Sequence, residues 1–273
     1  MVANAERAAE FRRLHRSGCF VMPNPWDAGS ARVLAGMGFP ALATTSAGFA
    51  WSTGHPDNSG DAAVGLDATL AHLALIAGAV ELPVNADFQG AFARTPDEVA
   101  DHVDLAVATG VAGLSLEDFS GDPTDPLLPL DVAVERVRAA RAAIDEGGSG
   151  VVLTARCEAF VWGRPDLGET IRRLVAYAEA GADCLYAPFL TSLDDVAAIV
   201  RAVAPAPVNL LVHRPFTTVA DAAAAGVRRI SVGGQLAKTA WRAVLDAAGE
   251  IAERGTFEAF AGLPDVNALL DRP

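Results

Sequence analysis

Asn85 and Asp87 stand two residues apart at the end of an apolar run, in the stretch "ELPVNADFQGAF" (81–92). In an extended chain that spacing points both side chains the same way. Glu117 and Asp118 close a second such run, "GLSLED" (113–118), and Arg156 closes a third, "VVLTAR" (151–156), with Glu158 just behind it. Thr44, Thr45 and Ser46 end a fourth, and a fifth carries Asn209 within it and His213 at its end. Gathered on one rim, two or three carboxylates and one arginine suit a hard divalent cation with an anionic ligand beside it. Mg²⁺ takes oxygen ligands and keeps several waters, so one or two carboxylates, here Asp87 and Glu117, suffice. Arg156 can grip a substrate carboxylate through two parallel hydrogen bonds.

Plainer roles are open to each of these residues. An acid at a strand end often caps the next helix, and Arg156 can simply pair with Glu117 or Glu158. Cys157 reads as a small buried hydrophobe before it reads as a nucleophile. His55 and His213 read as structural or solvent-facing. The turn "SVGGQLAKTA" (231–240) can cradle a phosphate at a helix N-terminus, or its glycine pair can serve packing.

A rim that collects these side chains requires many strands ending on the same side. Short apolar runs at 19–24, 41–46, 83–87, 113–118, 151–156, 184–188, 207–213 and 229–234 alternate with longer Ala-rich stretches. Two of these, 131–144 and 167–180, space their apolar residues by three and four, the period of a helix. Such alternation predicts a parallel sheet under helical cover. A weak repeat, "AGMGFP" (35–40), "ATGVAG" (108–113), "EAGADC" (179–184) and "AAGVRR" (224–229), puts a glycine between each helix and the next strand, where a helix ends in the left-handed conformation. Eight strands in one series, with no G-x-G-x-x-G after the first, fit a (β/α)₈ TIM-type barrel better than an open dinucleotide-binding sheet. Its chemistry would sit at the C-terminal ends of the strands. The whole chain, 1–273, reads as one barrel domain, with an extra or frayed helix at 1–10 and a terminal helical appendage at 256–273.

Composition excludes other classes. The net charge of −13, from 34 acidic and 21 basic residues, repels nucleic-acid phosphates and anionic membranes. No apolar run reaches membrane-spanning length, and the first twenty residues carry no signal-peptide core. Three scattered cysteines form no disulfide framework and no zinc cluster, which fits a reducing compartment. The reading is of a soluble cytoplasmic protein. Lys238 is the sole lysine and falls on a predicted helix, which leaves no strand-end lysine for Schiff-base chemistry.

The stretches "TTSAGFAWSTGHPD" (44–57), "PVNADFQGAF" (83–92), "GLSLED" and "TARCEAF" (154–160), in that order, resemble the isocitrate lyase and phosphoenolpyruvate mutase superfamily over roughly residues 10–250. The resemblance implies a (β/α)₈ barrel whose last helix swaps between subunits of a homodimer or homotetramer. It also implies Mg²⁺ and a small 2-oxo carboxylate, whose enolate is stabilised while a C–C or C–P bond breaks or forms. Ser46, Ala47 and Gly48 resemble the loop that holds the substrate. Asp57 resembles an acid of the metal's outer shell, and Asn85, Asp87 and Glu117 resemble the metal-site residues. Arg156 resembles the substrate-binding arginine, and Asn209 joins the substrate-binding set.

Two departures shape the expected activity. The superfamily pattern reads Asp-x-Asp on the third strand, whereas Asn85 here removes one negative charge. The segment "EDFSGDPTDPLLPLD" (117–131) lacks the cysteine of the lyase loop and the lysine of the mutase loop. What remains is chemistry needing an enolate sink and no loop acid: C–C cleavage or decarboxylation of an oxaloacetate-type substrate, with water able to protonate the enolate. The alternatives are C–P chemistry gated by "FSGDP" (119–123), and a 2-oxo acid binding protein with little turnover.

Overall fold

The computed structural model describes residues 2–57 and 64–271. The first half runs α1 (Val2–Leu14), β1 (Phe20–Val21), α2 (Ala28–Gly36), β2 (Leu42–Ala43), α3 (Ser46–Ser52), α4 (Leu66–Ala79), β3 (Val84–Asp87), α5 (Pro96–Ala108) and β4 (Gly113–Glu117). The second half continues with α6 (Leu130–Glu146), β5 (Val152–Arg156), α7 (Leu167–Glu179), β6 (Cys184–Tyr186) and α8 (Leu193–Val203). It ends with β7 (Val208–Leu211), α9 (Val219–Ala224), β8 (Arg229–Ser231), α10 (Gln235–Arg254) and α11 (Val266–Leu270).

All strand pairs are parallel, in the order β1-β8-β7-β6-β5-β4-β3-β2. The seam closes where the Ala43 N–H donates to Pro23 O (3.1 Å) and Asn24 Nδ2 donates to Thr44 O (2.9 Å). The result is the expected (β/α)₈ barrel. Outward strand residues such as Leu114, Leu116, Leu153 and Ala155 pack in one buried cluster with Val99, Val103 and Leu174 of the helices, as a parallel sheet covered by helices requires.

Local chemistry explains the element ends. Helix α5 starts where Thr95 and Glu98 form a capping box with Pro96 at the first turn, the arrangement that satisfies two orphan N–H groups at once. The repeat's glycines do adopt left-handed backbone, with φ of 92° at Gly110 and 104° at Gly181. Several strands are shorter than their apolar runs. The 41–46 run loses its end because the Thr45 hydroxyl accepts the Gly48 N–H and caps α3. The 184–188 run stops at Tyr186 because Pro188 has no N–H to donate to a ladder.

Helix α1 extends past the expected 1–10 and plugs the barrel floor, with Phe11 buried among Phe20, Met22 and Val152. A Cβ on Gly113 would lie 2.6 Å from the Phe11 ring, so only glycine lets the plug seat. Of the expected 256–273 appendage, a 3₁₀ turn at Glu258–Phe260 and α11 are helical, and residues 272–273 lie outside the described residues. No helix among the described residues is long and apolar enough to cross a membrane.

Candidate active site

Period-two geometry on β3 turns Asn85 and Asp87 into the barrel and Ala86 outward against the helices. Asp87 is held from three sides. Its N–H donates to Thr44 Oγ1 (2.8 Å), and its Oδ2 accepts from the Ser46 N–H and Oγ (2.9 Å each). Its Oδ1 accepts from Arg156 Nη1 at 2.7 Å. The same nitrogen lies 2.7 Å from Glu117 Oε1, and Arg156 Nε lies 3.0 Å from Glu158 Oε1. One guanidinium on β5 therefore gathers acids from β3, β4 and its own loop, and it rests over the Tyr186 ring at 5.1 Å.

The loop after β3 is strained to hold this arrangement. Gln89, Ala91 and Phe92 all have positive φ, which non-glycine residues adopt only under constraint. Arg136 supplies the constraint by donating to Gly90 O (2.6 Å) and Ala93 O (2.9 Å). Gln89 O in turn accepts the Glu117 N–H at 2.9 Å, which ties the two acid-bearing strands together. Asp118, next to Glu117, faces the other way. It accepts from Tyr177 Oη, Arg173 and the Glu158 N–H and anchors the β4 and β5 loops to α7.

Three carboxylates on one guanidinium leave surplus negative charge in a buried place. Burial raises the Glu117 carboxyl well above its usual range against the pull of Arg156, and it raises Glu158 to about 7. Burial works against the Arg156 cation, but Glu117, Glu158 and Asp87 outweigh it and push its pKa well up. Burial lifts the Tyr186 phenol to about 12, so it keeps its proton at neutral pH.

The phosphoenolpyruvate phosphomutase family model matches residues 11–252. The chain belongs to the phosphoenolpyruvate mutase/isocitrate lyase superfamily. An uncharacterized Mycobacterium tuberculosis protein is 35% identical over 230 residues, 82% of this chain and 81% of its own length. A Burkholderia cenocepacia structure described only as a lyase/mutase is 46% identical at a TM-score of 0.94, covering 100% of this chain and 98% of that one. Oxaloacetate acetylhydrolase in complex with oxalate is 28% identical at a TM-score of 0.85, covering 97% and 94%. Superfamily members of known activity among these relatives are lyases, hydrolases or mutases, which places the chain with enzymes.

Most of the expected site residues share one cavity at the mouth of this superfamily barrel: Ser46, Ala47, Asp57, Asn85, Asp87, Arg156 and Asn209 line it. Two do not. Glu117 reaches the cavity only through Arg156, and Gly48 is buried behind the turn, its N–H donated to Thr45 Oγ1. Ala47 lines the cavity in the first turn of α3, where the leading N–H groups of a helix have no partner within the helix. Cys157 is fully buried and burial pushes its thiol far up, so it is the small hydrophobe its sequence context suggested.

Sequence reasoning passed over Tyr186, Phe189, Trp51 and Arg229, which also line the cavity. Arg229, 1% exposed, donates to Asn209 Oδ1 and Thr154 Oγ1 (2.9 Å each) and to His15 Nε2 (3.2 Å). The available signal was its place two residues before Ser231, on the inward side of an apolar strand.

The oxygen-rich donor set fits a divalent cation of the Mg²⁺ type. Three acids crowd the one guanidinium of Arg156, and burial holds two of them, Glu117 and Glu158, toward the protonated form, which a bound cation would reverse. Asn85 Oδ1 is buried with no hydrogen-bond partner among the described residues. No three His, Cys, Asp or Glu side chains among them form a ready-made cage, and Mg²⁺, which retains much of its water, needs none.

Proposed function

We propose that the chain is a Mg²⁺-dependent enzyme that binds a small 2-oxo carboxylate and stabilises its enolate. The reaction would be C–C cleavage or decarboxylation of an oxaloacetate-type substrate. The observation that carries this reading is the convergence of Asp87, Glu117 and Glu158 on Arg156 beside the Ala47 amide. Asn85, Asp87 and Glu117 would hold the ion, with Asp57 beyond them. When bound, the ion supplies Lewis-acid stabilisation of the negative charge that develops on the 2-oxo oxygen.

The chain's own residues do the rest. Arg156 grips the substrate carboxylate in a two-pronged hydrogen bond, and the Ala47 N–H adds a preorganised donor. Ser46 holds Asp87 in place through its N–H and hydroxyl. Asn209, fixed by Arg229 and by its own bond to Ser231 Oγ (3.0 Å), closes the cavity below. The segment 117–131 brings no basic or thiol acid: Phe119 stacks on Trp162 at 4.3 Å and Arg164 donates to Thr124 O. Water, with the protonated Tyr186 phenol beside it, is left to supply the proton to the enolate carbon.

The reading includes a cytoplasmic homodimer or homotetramer with a C-terminal helix exchanged between subunits, supported by the exposed Trp241, Val244 and Leu245 on α10. Following oxaloacetate by NMR with Mg²⁺ and with chelator tests the activity. Product formed faster than in protein-free Mg²⁺ solution, and no faster than the protein-free rate in chelator, supports it. The ion-paired state of Arg156 favours one second reading, a 2-oxo acid binder, which the same experiment recognises as ligand bound over hours without product.

A further inference from the structure

Strands β7 and β8 lie across the barrel from the acid-bearing β3 and β4, and the cavity wall on their side is built from donors. His213 lines it just past β7, and Gln235 and Lys238 line it from the start of α10. Three residues apart, these last two share one face of the helix. Lys238 is the sole lysine of the chain. A cation at the start of a helix is opposed by the helix dipole. Lys238 nonetheless forms no ion pair among the described residues, and its Nζ rests over the Trp51 ring at 5.3 Å. A cation set against the dipole, with no acid of the protein to balance it, has a place ready for an anion from outside.

His213 adds a second unmet group. Its Nδ1 is buried without a hydrogen-bond partner among the described residues, which is unfavourable until a ligand or water meets it. Its ring is held between Phe189 at 4.6 Å and Phe216 at 6.3 Å. Burial lowers its pKa, and the Arg214 and Lys238 cations lower it further, so Lys238 is close enough to act on the same guest. Arg214 is itself engaged, donating to Thr191 Oγ1 at 3.1 Å.

Backbone donors are spent on this side. The turn after β8 is where barrels of this architecture often hold a phosphate. Here the Val232 and Gly233 N–H groups both donate to Asn24 Oδ1 (2.8 and 3.0 Å), and the Gln235 N–H donates to Val232 O (3.2 Å). The Trp51 ring covers Gly234, where a Cβ would meet it at 2.8 Å. What remains is one ammonium, one side-chain amide and one imidazole, a set that suits the two oxygens of a carboxylate better than the three of a phosphate.

We infer that Lys238, with His213 and Gln235, forms the subsite for a second carboxylate, so that the ligand is a 2-oxo dicarboxylate held at both ends. Lys238 is its specificity-determining residue. The inference rests on the proposed 2-oxo acid site and deepens it: Arg156 takes the carboxylate beside the 2-oxo group, and Lys238 takes the far one. Oxaloacetate carries both groups, so a ligand held this way is one that the proposed reaction can use. Fixing both ends also sets the torsion of the scissile bond against the 2-oxo group, the alignment on which cleavage depends.

The test is a calorimetric titration in Mg²⁺ with three probes: pyruvate, racemic malate and racemic 2-hydroxy-4-methylpentanoate. Malate stands in for oxaloacetate because it does not lose CO₂ in Mg²⁺ during the titration. In the third probe an isopropyl group replaces the far carboxylate of malate. Malate is expected to bind at least about tenfold more tightly than this isopropyl counterpart, the scale of one hydrogen bond to a charged group. Lys238→Met should bring that ratio to about one, and Lys238→Arg should keep most of it. An unchanged ratio in Lys238→Met overturns the inference. If pyruvate binds but malate binds no better than its isopropyl counterpart, or neither binds, this inference alone falls. If none of the three binds, the 2-oxo acid reading falls and this inference with it.

Discussion

Nη1 of Arg156 stands 2.7 Å from Glu117 Oε1 and equally far from Asp87 Oδ1, so one nitrogen holds the point on which both carboxylates converge. A divalent cation drawn to those acids competes with the guanidinium for them. When Arg156 leaves for a substrate carboxylate, the acids lose a counter-ion and favour a cation in its place. Cation and 2-oxo acid should therefore support each other's binding. Calorimetric titration is expected to show Mg²⁺ lowering the dissociation constant of pyruvate, and pyruvate lowering that of Mg²⁺ by the same factor. Equal pyruvate affinity in Mg²⁺ and in chelator would refute the coupling.

The two interior arginines predict opposite severities. Arg156→Met strands Asp87, Glu117 and Glu158 without a cation, and removing one partner of a buried ion pair costs about 3–5 kcal/mol. Arg229→Met leaves only neutral groups, Asn209, Thr154 and His15, without their donor, at about 1–3 kcal/mol for the unsatisfied acceptors. Thermal unfolding in chelator should rank Arg156→Met well below Arg229→Met, and Mg²⁺ should restore part of the loss in the first variant only. The reverse order would mean that the acids are already neutral.

These two arginines also mark what was legible in the sequence. The eight strands were readable because apolar runs and glycine-ended helices repeat along the chain, and Asp87 and Arg156 were readable because they end such runs. Strand lengths were misjudged where a side chain intervened, as at Thr45, which leaves the sheet to cap α3. Arg229 was hidden because arginine is rarely fully buried and because its partners lie 20, 75 and 214 residues away along the chain. Phe189, Leu211 and Trp51 were hidden for a related reason: they are ordinary core residues by type, and only the fold shows that they line the cavity.

Glu158 predicts a pH dependence of stability. Its carboxyl is raised by burial to about 7 from the usual 4.5 of a free glutamate, so between those values the folded protein holds a proton that the unfolded chain releases. Its contribution is fully present below about pH 4.5 and is lost as pH rises through about 7. Glu158→Gln, a mimic of the protonated acid, removes this titration. In chelator the two proteins should melt together near pH 4.5, and the variant should become the more stable one by pH 8. Parallel melting curves across that range would show that Glu158 is not titrating there.

Asn85 offers the sharpest test of the cation. Its Nδ2 donates to Ala86 O at 3.1 Å, while its Oδ1 lies buried without a partner among the described residues, facing Gly113 across the strand pair. Asn85→Asp exchanges that amide for a second acid of the Asp-x-Asp kind and adds a buried negative charge to a cluster already in surplus. In chelator the variant should lose stability, since an uncompensated buried charge costs several kcal/mol. In Mg²⁺ it should recover, with the ion bound about tenfold more tightly because affinity follows the ligand charge. Calorimetry with Mg²⁺ alone, beside melting curves in both conditions, measures each half. A variant that is destabilised equally in Mg²⁺ and chelator, with unchanged Mg²⁺ affinity, would place residue 85 away from any cation and move the ion's anchor to Asp87 and Glu117.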